Sequence, residues 1–176
     1  GNISSLTTLR MNESVVRNPD EADTAEVSVY RDSWSDVTER LDTLNDQFYI
    51  NLDGTDVFGG RFGDSQTSEN TVTVQLEDPK RDAIDAEPAG ANDVYQPAPD
   101  VDHLELTILP RVTTVSAGTI ESQTASIPFS ESRASPGKSI TKLAEATGAE
   151  TKYNPDWTLD YVDRLGSDRT DHEISA

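Results

Sequence analysis

The stretch that most constrains the fold covers residues 135–166, where signals for a helix start, a helix stop and a turn follow one another closely. Ser135 is a favourable N-cap, and Pro136 suits the first helical position because the N–H group that proline lacks would be unpaired there. Gly148 marks the end, since glycine readily adopts the left-handed conformation that closes a helix. These signals predict a helix over residues 136–147. Its apolar stripe recurs at helical spacing through Ile140, Leu143, Ala144 and Thr147.

A β-hairpin is predicted to follow this helix, over residues 149–164. Asn154, Pro155 and Asp156 supply the turn, because short polar side chains and the fixed proline backbone favour tight turns. Apolar residues alternate in the second strand and therefore share one of its faces, at Trp157, Leu159 and Tyr161. The stretch predicts a helix lying on a hairpin, with no group that indicates catalysis.

An antiparallel β unit, barrel-like or a sandwich, is predicted over residues 25–85. Alternating apolar residues indicate strands over residues 26–31, 47–52, 57–62 and 72–76. Between the first two, residues 34–44 fit either a strand running into a turn or a short helix, and we favour the strand. A polar loop is expected over residues 63–70, and a short helical turn near residues 80–86.

The turn chemistry of this unit is clearest at Asp53-Gly54, between the second and third predicted strands. Both residues tolerate the positive φ angles that a two-residue hairpin turn requires, so the pair predicts a hairpin. Gly59 and Gly60 follow inside the return strand. Paired glycines within a strand predict a bulge or a close approach of another backbone segment.

A proline-rich, acidic linker is predicted over residues 86–100, and a second α+β unit over residues 101–176. Residues 101–112 fit a helix or a strand, and the alternation of apolar residues there favours the strand. A loop containing Gly118 leads into a strand over residues 124–132. Pro128 within that strand predicts a sheet edge, since proline cannot donate a ladder hydrogen bond.

The N-terminal residues 1–24 are polar and predict an arm rather than a core element. An arm with few apolar residues needs a surface to lie on, either the body of its own chain or that of a neighbour. We favour a subunit contact.

The net charge of the chain limits its partners. The chain has 33 acidic and 14 basic residues, for a formal charge of −19. Such a composition fits either disorder or a folded protein in concentrated salt, where a Debye length of about 3 Å at 1 M screens repulsion between carboxylates. The clear periodicities favour the folded, salt-adapted protein. The absence of a Lys/Arg cluster argues against nucleic acid and anionic membranes as partners, and the absence of cysteine excludes disulfides and thiolate metal sites.

The chemistry-bearing residues do not form a recognisable catalytic motif. His103 and His172 are far apart, and each is expected to be a surface residue. Carboxylate pairs such as Asp53 with Asp56 arise by chance in so acidic a chain. Aromatic residues at alternating spacing are more typical of core and interface than of a carbohydrate platform (Trp34, Tyr153, Trp157 and Tyr161). We therefore predict no catalytic, cofactor-binding or metal site, and no enzyme.

Several segments, in their order and spacing, resemble tail hub (tail-tip or baseplate hub) proteins of haloarchaeal tailed viruses and proviruses. The resemblance extends over residues 30–170. The segments are residues 48–54 (FYINLDG), 57–61 (VFGGR), 76–79 (LEDP), 81–83 (RDA), 116–121 (SAGTIE), 135–136 (SP), 143–148 (LAEATG) and 159–166 (LDYVDRLG). Hub proteins are usually longer, with further β domains downstream, so a fragment and a reduced version are both open alternatives. Apart from the LEDP and RDA segments at its start, the proline-rich stretch at residues 78–102 matches no hub motif.

The resemblance implies a structural virion protein that caps the tail tube and mounts the tip in a high-salt environment. It implies a self-assembling protein, a trimer, that contacts tube and tip components without a cofactor. The fold class expected is α+β, mainly antiparallel β, with a barrel-like unit followed by a smaller helix-on-hairpin unit. An extracellular carbohydrate- or surface-binding β module of a halophile is the alternative, and a hydrolase using an acid pair is less favoured. The candidate interface residues are Trp34, Gly59, Gly60, Tyr95, Pro128 and Trp157.

Overall fold

The computed structural model describes residues 6–12, 21–31 and 47–163. Its strands are β1 (Leu6–Asn12), β2 (Thr24–Tyr30), β3 (Phe48–Leu52), β4 (Thr55–Thr67), β5 (Thr71–Glu77), β6 (Asp93–Ala98), β7 (Ser116–Ile120), β8 (Ile127–Glu131), β9 (Glu150–Tyr153) and β10 (Thr158–Val162). Its helices are α1 (Lys80–Asp85), α2 (Asp100–His103) and α3 (Pro136–Thr147), with a π turn over Leu104–Ile108 and a 3-10 turn over Leu109–Arg111. The strands are mostly antiparallel and include a curled half-barrel sheet, which confirms the predicted α+β class.

The larger sheet has five antiparallel strands in the order β1-β2-β5-β4-β3. Alternation places the apolar side chains on one face, because successive residues of a strand point to opposite sides of the sheet. On the other face, the hydroxyl groups of Ser28 and Thr73 lie 2.9 Å apart across β2 and β5. The buried face forms the first cluster, made of Ala25, Val27, Val29, Ile50, Phe58, Val72, Val74 and Leu76.

The hairpin of β3 and β4 has the turn that the sequence predicts. Asp53 and Gly54 have φ angles of 51° and 87°, and the side-chain oxygen of Asn51 accepts a hydrogen bond from the Gly54 amide at 2.9 Å. The predicted polar loop after this hairpin is wrong as far as Thr67, since β4 continues to that residue and pairs with β5. Its last residues are exposed, so they carry no apolar alternation by which the sequence could indicate a strand.

The predicted N-terminal arm contains β1, an edge strand that pairs with β2 of the same chain. These residues therefore lie on the body of their own chain through backbone hydrogen bonds. A contact of the arm with another subunit stays a prediction.

The smaller half of the chain contains two short sheets. Strand β10 pairs antiparallel with β9 and parallel with β7, while β6 and β8 form a two-stranded antiparallel ribbon. Helix α3 spans the predicted residues and ends at Gly148, whose φ is 80°. Together with α1 and the turns after α2, these elements bury the second cluster: Ala83, Leu104, Ile108, Leu109, Val112, Val115, Phe129, Ile140, Leu143, Ala144, Ala149, Leu159 and Tyr161. The first cluster ends at Leu76 and the second begins at Ala83, so the chain passes between them at residues 77–82.

The strand predicted over residues 101–112 is wrong, because residues 100–111 are helical. Leu104 and Ile108 are fully buried at a spacing of four residues, whereas Leu106 is 75% exposed. A strand would have placed all three on one face. The sequence alternates there only because a second leucine lies on the solvent side of the helical turn.

Two further elements occur where the sequence predicts a linker and a loop. Strand β6 lies within the predicted linker over residues 86–100 and pairs with β8, and β7 occupies the predicted loop around Gly118. Residues 116–119 are all exposed, so β7 has no apolar alternation.

Pro128 lies in the two-stranded ribbon, where each strand is an edge, as the sequence predicts. Residues 32–46, 164–176 and 13–20 lie outside the described residues.

Replacing a fully buried leucine of the second cluster tests this packing. We expect Leu143→Ala to lower the free energy of unfolding by about 2–5 kcal/mol, because the side chain is completely buried and its removal leaves a cavity. Leu106→Ala, at an exposed helical position, is the matched control and is expected to change it by about 0.5 kcal/mol or less. Urea unfolding followed by circular dichroism measures both values. Equal losses in the two variants would contradict the assignment of this cluster.

Candidate interaction surfaces

Five of the six predicted interface residues fall into two groups in the structure. Gly59, Gly60 and Trp157 come together where β4 meets the turn between β9 and β10. Tyr95 and Pro128 lie on the β6–β8 ribbon. Trp34 lies outside the described residues. We call the first group, with Arg61, Asp82 and Pro155, the junction.

Close backbone contact defines the junction, as the paired glycines predict. A Cβ atom on Gly59 would lie 2.1 Å from the carbonyl oxygen of Pro155, and one on Gly60 would lie 2.3 Å from that of Glu77. Any side chain at these positions would overlap rigid backbone atoms, so only glycine fits. Both glycines therefore serve a contact within the chain.

A single arginine links three elements at the junction. The Arg61 guanidinium on β4 lies 5.1 Å from the centre of the Trp157 ring, within the range of a cation–π interaction. Its Nε lies 2.9 Å from a carboxylate oxygen of Asp82 on α1, and the hydroxyl of Thr114 donates to the same carboxylate. Trp157 has a φ of 64° and is only 4% exposed. Its indole thus packs inside the chain, and a direct contact with a partner stays a prediction.

The ribbon holds Tyr95 against a buried ion pair. The Tyr95 hydroxyl donates to Glu131 at 3.0 Å, and Arg111 donates to the other oxygen of the same carboxylate at 2.7 Å. Burial and then the hydrogen bond to Glu131 raise the pKa of Tyr95 above its ordinary value. The exposed apolar side chains of the ribbon are Val94, Pro97 and Pro128, of which Val94 is 76% exposed. Sequence reasoning missed Val94 because a lone valine in a presumed linker carries no signal.

His103 is buried, and its prediction as a surface residue is wrong. Its ring lies 5.5 Å from that of Phe129, and its Nε2 donates to the carbonyl oxygen of Ile127 at 2.9 Å. The helical fold of residues 100–111 turns this side chain inwards, which a strand over the same residues would not require. His172 lies outside the described residues.

Asp100 forms the most densely hydrogen-bonded group of the second half and was not anticipated. The side chain is fully buried and accepts hydrogen bonds from the Ser122 hydroxyl at 2.8 Å and the Gln123 amide at 2.9 Å. The Tyr161 hydroxyl donates at 3.0 Å and the Thr124 amide at 3.3 Å. Burial raises the pKa of Asp100, but these four donors outweigh burial and hold the pKa below its ordinary value. Because these donors surround the carboxylate, it fastens the loop before β8 to β10.

The described residues offer no cluster of three or more His, Cys, Asp or Glu side chains able to hold a metal ion. Over the same part of the chain, no helix has the length and apolar character needed to cross a membrane.

Structural comparison places the fold among solved tail proteins, whereas no family model and no curated protein matches the sequence. The crystal structure of a tail protein from Neisseria meningitidis MC58 is similar over 87% of this chain, with a TM-score of 0.64 and 15% identity. A 43 kDa tail protein of prophage MuSo2 from Shewanella oneidensis is similar over 88%, with a TM-score of 0.56 and 12% identity. The chain has the fold of these tail proteins. It spans 44% of the first and 48% of the second.

Adding one methyl group at the junction tests the close contact. We expect Gly59→Ala to destabilise the chain by about 1–3 kcal/mol or more, because the new Cβ would meet the Pro155 carbonyl. Gly63→Ala, on the same strand, is the matched control, since its Cβ would meet first the flexible side chain of Glu77 at 3.1 Å. Thermal unfolding compares the two. A Gly59→Ala protein as stable as Gly63→Ala would show that the junction is loose in solution.

The Asp100 carboxylate predicts a pH dependence. Because its folded pKa lies below its ordinary 3.8, its stabilisation is present above pH 3.8 and is lost as the pH falls through the lower folded value. At pH 7 we expect Asp100→Asn to lower the free energy of unfolding by about 2–3 kcal/mol. This difference should shrink progressively below about pH 4. Asp102→Asn, at an exposed neighbouring position, is the control. A pH-independent difference between wild type and Asp100→Asn would refute the role of the charge.

Proposed function

We propose that this chain is a structural component of a virus tail. The observation that carries the proposal is the similarity of 87% of the chain to a solved tail protein at a TM-score of 0.64. A second tail protein, from a Mu-like prophage, has the same fold at a TM-score of 0.56. Because fold similarity alone does not define a function, the chemistry of the described residues must also be consistent with it.

The polar side chains described above form contacts that hold the chain together. Two of the buried carboxylates are paired within the chain: Asp100 with its four donors, and Glu131 with Arg111 and Tyr95. The arrangement supports a protein that works through its surface.

Within the tail, we propose a hub protein that caps the tube and mounts the tip. The sequence resemblance to haloarchaeal hub proteins supports this position, and two of its segments occupy structurally important places. Residues 57–61 supply Gly59, Gly60 and Arg61 of the junction, and residues 143–148 form the end of α3 and its glycine stop. These segments would then be shared because they build the fold.

The acidic surface supports a high-salt environment for this virion. A net charge of −19 on 176 residues would repel copies of the chain at low ionic strength, and molar salt would screen this repulsion. Assembly under such conditions relies on apolar and backbone contacts rather than on exposed ion pairs.

The partners proposed are copies of this chain, in a trimer, and neighbouring tube and tip proteins. Of the candidate interface residues, Pro128 is exposed on the ribbon, close in register to the exposed Val94. We propose this outer surface of the ribbon as a contact. Gly59, Gly60 and Trp157 would influence assembly through the shape of the junction, since their own contacts lie within the chain.

The alternative, a carbohydrate-binding module, needs an exposed aromatic platform. Trp157 and Tyr161, two members of the candidate platform, are 4% and 0% exposed, and the hydroxyl of Tyr153 is buried. The rings of Trp157 and Tyr161 are therefore closed to a sugar ring.

Measuring the mass of the assembled protein in molar potassium chloride tests the proposal. We expect a trimer, or a ring with a multiple of three copies, by light scattering coupled to size exclusion. Val94→Asp should reduce the assembled fraction because it places a charge on the ribbon. Leu106→Asp, at a similarly exposed position away from the ribbon, is the matched control. A monomer that is retarded on a polysaccharide matrix would favour the carbohydrate-binding alternative instead.

A further inference from the structure

A buried carboxylate lies where the chain passes from the first cluster to the second. Asp78 is 7% exposed, directly between the end of β5 and the start of α1. Its carboxylate accepts a hydrogen bond from the Asp23 amide at 3.2 Å, and its own amide donates to the Asp23 carbonyl at 2.9 Å. Asp78 therefore joins the residue before β2 to the connection between the clusters.

The groups around Asp78 come from both halves of the chain. Asp23 precedes β2, Lys80 begins α1, and Tyr153 ends β9. Burial, followed by the negative charge of Asp23, raises the pKa of Asp78 from 3.8 to about 7, although Lys80 and the amide hydrogen bonds act in the opposite direction. Glu77 and Arg81, its neighbours in sequence, pair with each other on the more exposed side, at 3.5 Å.

The hydroxyl of Tyr153 is a second polar group whose burial is not compensated by a hydrogen bond in the part of the chain that the structure describes. Its hydroxyl is buried and has no hydrogen-bond partner among the described residues, although Tyr153 packs against the second cluster. Burial raises the pKa of Tyr153, and the charge of Asp78 raises it further. A buried hydroxyl without a partner is costly, and so is a buried carboxylate beside a second carboxylate.

We propose that proton binding at Asp78 controls how tightly the two clusters close against each other at the junction. With the proton bound, the carboxyl group is neutral and can stay buried beside Asp23 and the Tyr153 hydroxyl. With the proton lost, the carboxylate must be solvated, and solvation requires water to enter where β5 passes into α1 beside Asp23. The junction then loosens, because the Gly60 backbone packs directly on the carbonyl group of Glu77, the residue before Asp78.

The sign of the pH effect follows from proton linkage. The folded chain holds the Asp78 proton up to about pH 7, whereas the unfolded chain releases it near pH 3.8. Between these values the folded state binds more protons, so the closed state loses stability as the pH rises. The effect is complete above about pH 7 and absent below pH 3.8. It is opposite in sign to the effect of Asp100, whose charged form is the stabilised one.

Trp157 reports on this opening because it is buried at the junction. In the full chain with Trp34→Phe, the second of the two tryptophans is the only one left. We expect acrylamide quenching of Trp157 fluorescence to increase between pH 5 and pH 9 with a midpoint near pH 7, about three units above an ordinary aspartate. Asp78→Asn should remove this transition and keep quenching at its low-pH value, whereas Asp102→Asn, the exposed control, should retain it. Quenching that is independent of pH, or a transition that persists in Asp78→Asn, would overturn the proposal.

A direct titration keeps the test decisive if Asp78→Asn does not fold. Carbon-13 NMR of the side-chain carboxyl of Asp78, in the otherwise unchanged chain, should give a midpoint near pH 7 that coincides with the quenching transition. A carboxyl midpoint near pH 4, or one that differs from that of quenching, would refute the link between this proton and the junction.

Discussion

The contact between the Pro155 carbonyl and the glycine backbone of β4 is the constraint on which the arrangement of the two halves depends. A Cβ atom at Gly59 would leave only 2.1 Å to that oxygen, so the hairpin turn and the sheet meet without any side chain between them. This proximity brings Trp157 over Arg61 and lets Arg61 reach Asp82 on α1. One arginine then bridges the larger sheet, the first helix and the hairpin, and this bridge is partly shielded from water. The close backbone contact therefore determines where these charged and aromatic side chains meet.

Three buried carboxylates behave differently in a chain whose surface is crowded with acids. Asp100 is surrounded by four donors and is stabilised as an anion, while Glu131 is neutralised by Arg111. Asp78 is buried near the charge of another acid, Asp23, and therefore favours its protonated form. The cost of burying a charge is thus met by donors, by a counter-ion, or by a proton. Exposed carboxylates keep the chain soluble, whereas these three determine which loops and strands stay together.

Local signals in the sequence predicted the elements that depend on local physics. Ser135, Pro136 and Gly148 defined α3, and Asp53-Gly54 defined the β3–β4 hairpin, because caps and turns require particular residues at particular φ angles. The glycine pair also predicted the close approach at the junction.

The sequence did not predict the elements that depend on distant partners. Strands β6 and β7 are largely exposed and acquire their structure from β8 and β10, and the helical turn at residues 104–108 imitates the alternation of a strand. The donors to Asp100 lie more than twenty positions away, so no spacing rule indicates them. Of the candidate interface, Trp157 could be recognised as an important aromatic, but its inward orientation depends on a turn with positive φ.

The parallel pairing of β7 with β10 has a consequence for how the polypeptide acquires its structure. Ser116 is paired with Thr158, and the ribbon strand β8, α3 and β9 all lie between them in the chain. Closing a loop of this length costs conformational entropy before any hydrogen bond between β7 and β10 forms. Strand β7 therefore pairs only after the β9–β10 hairpin has formed. During synthesis on the ribosome, this uncharged pentapeptide would stay unpaired until almost the whole second half had emerged. The pairing of β7 is therefore a late event, and a chain that ends between β7 and β10 leaves β7 unpaired and available for association with the wrong chain.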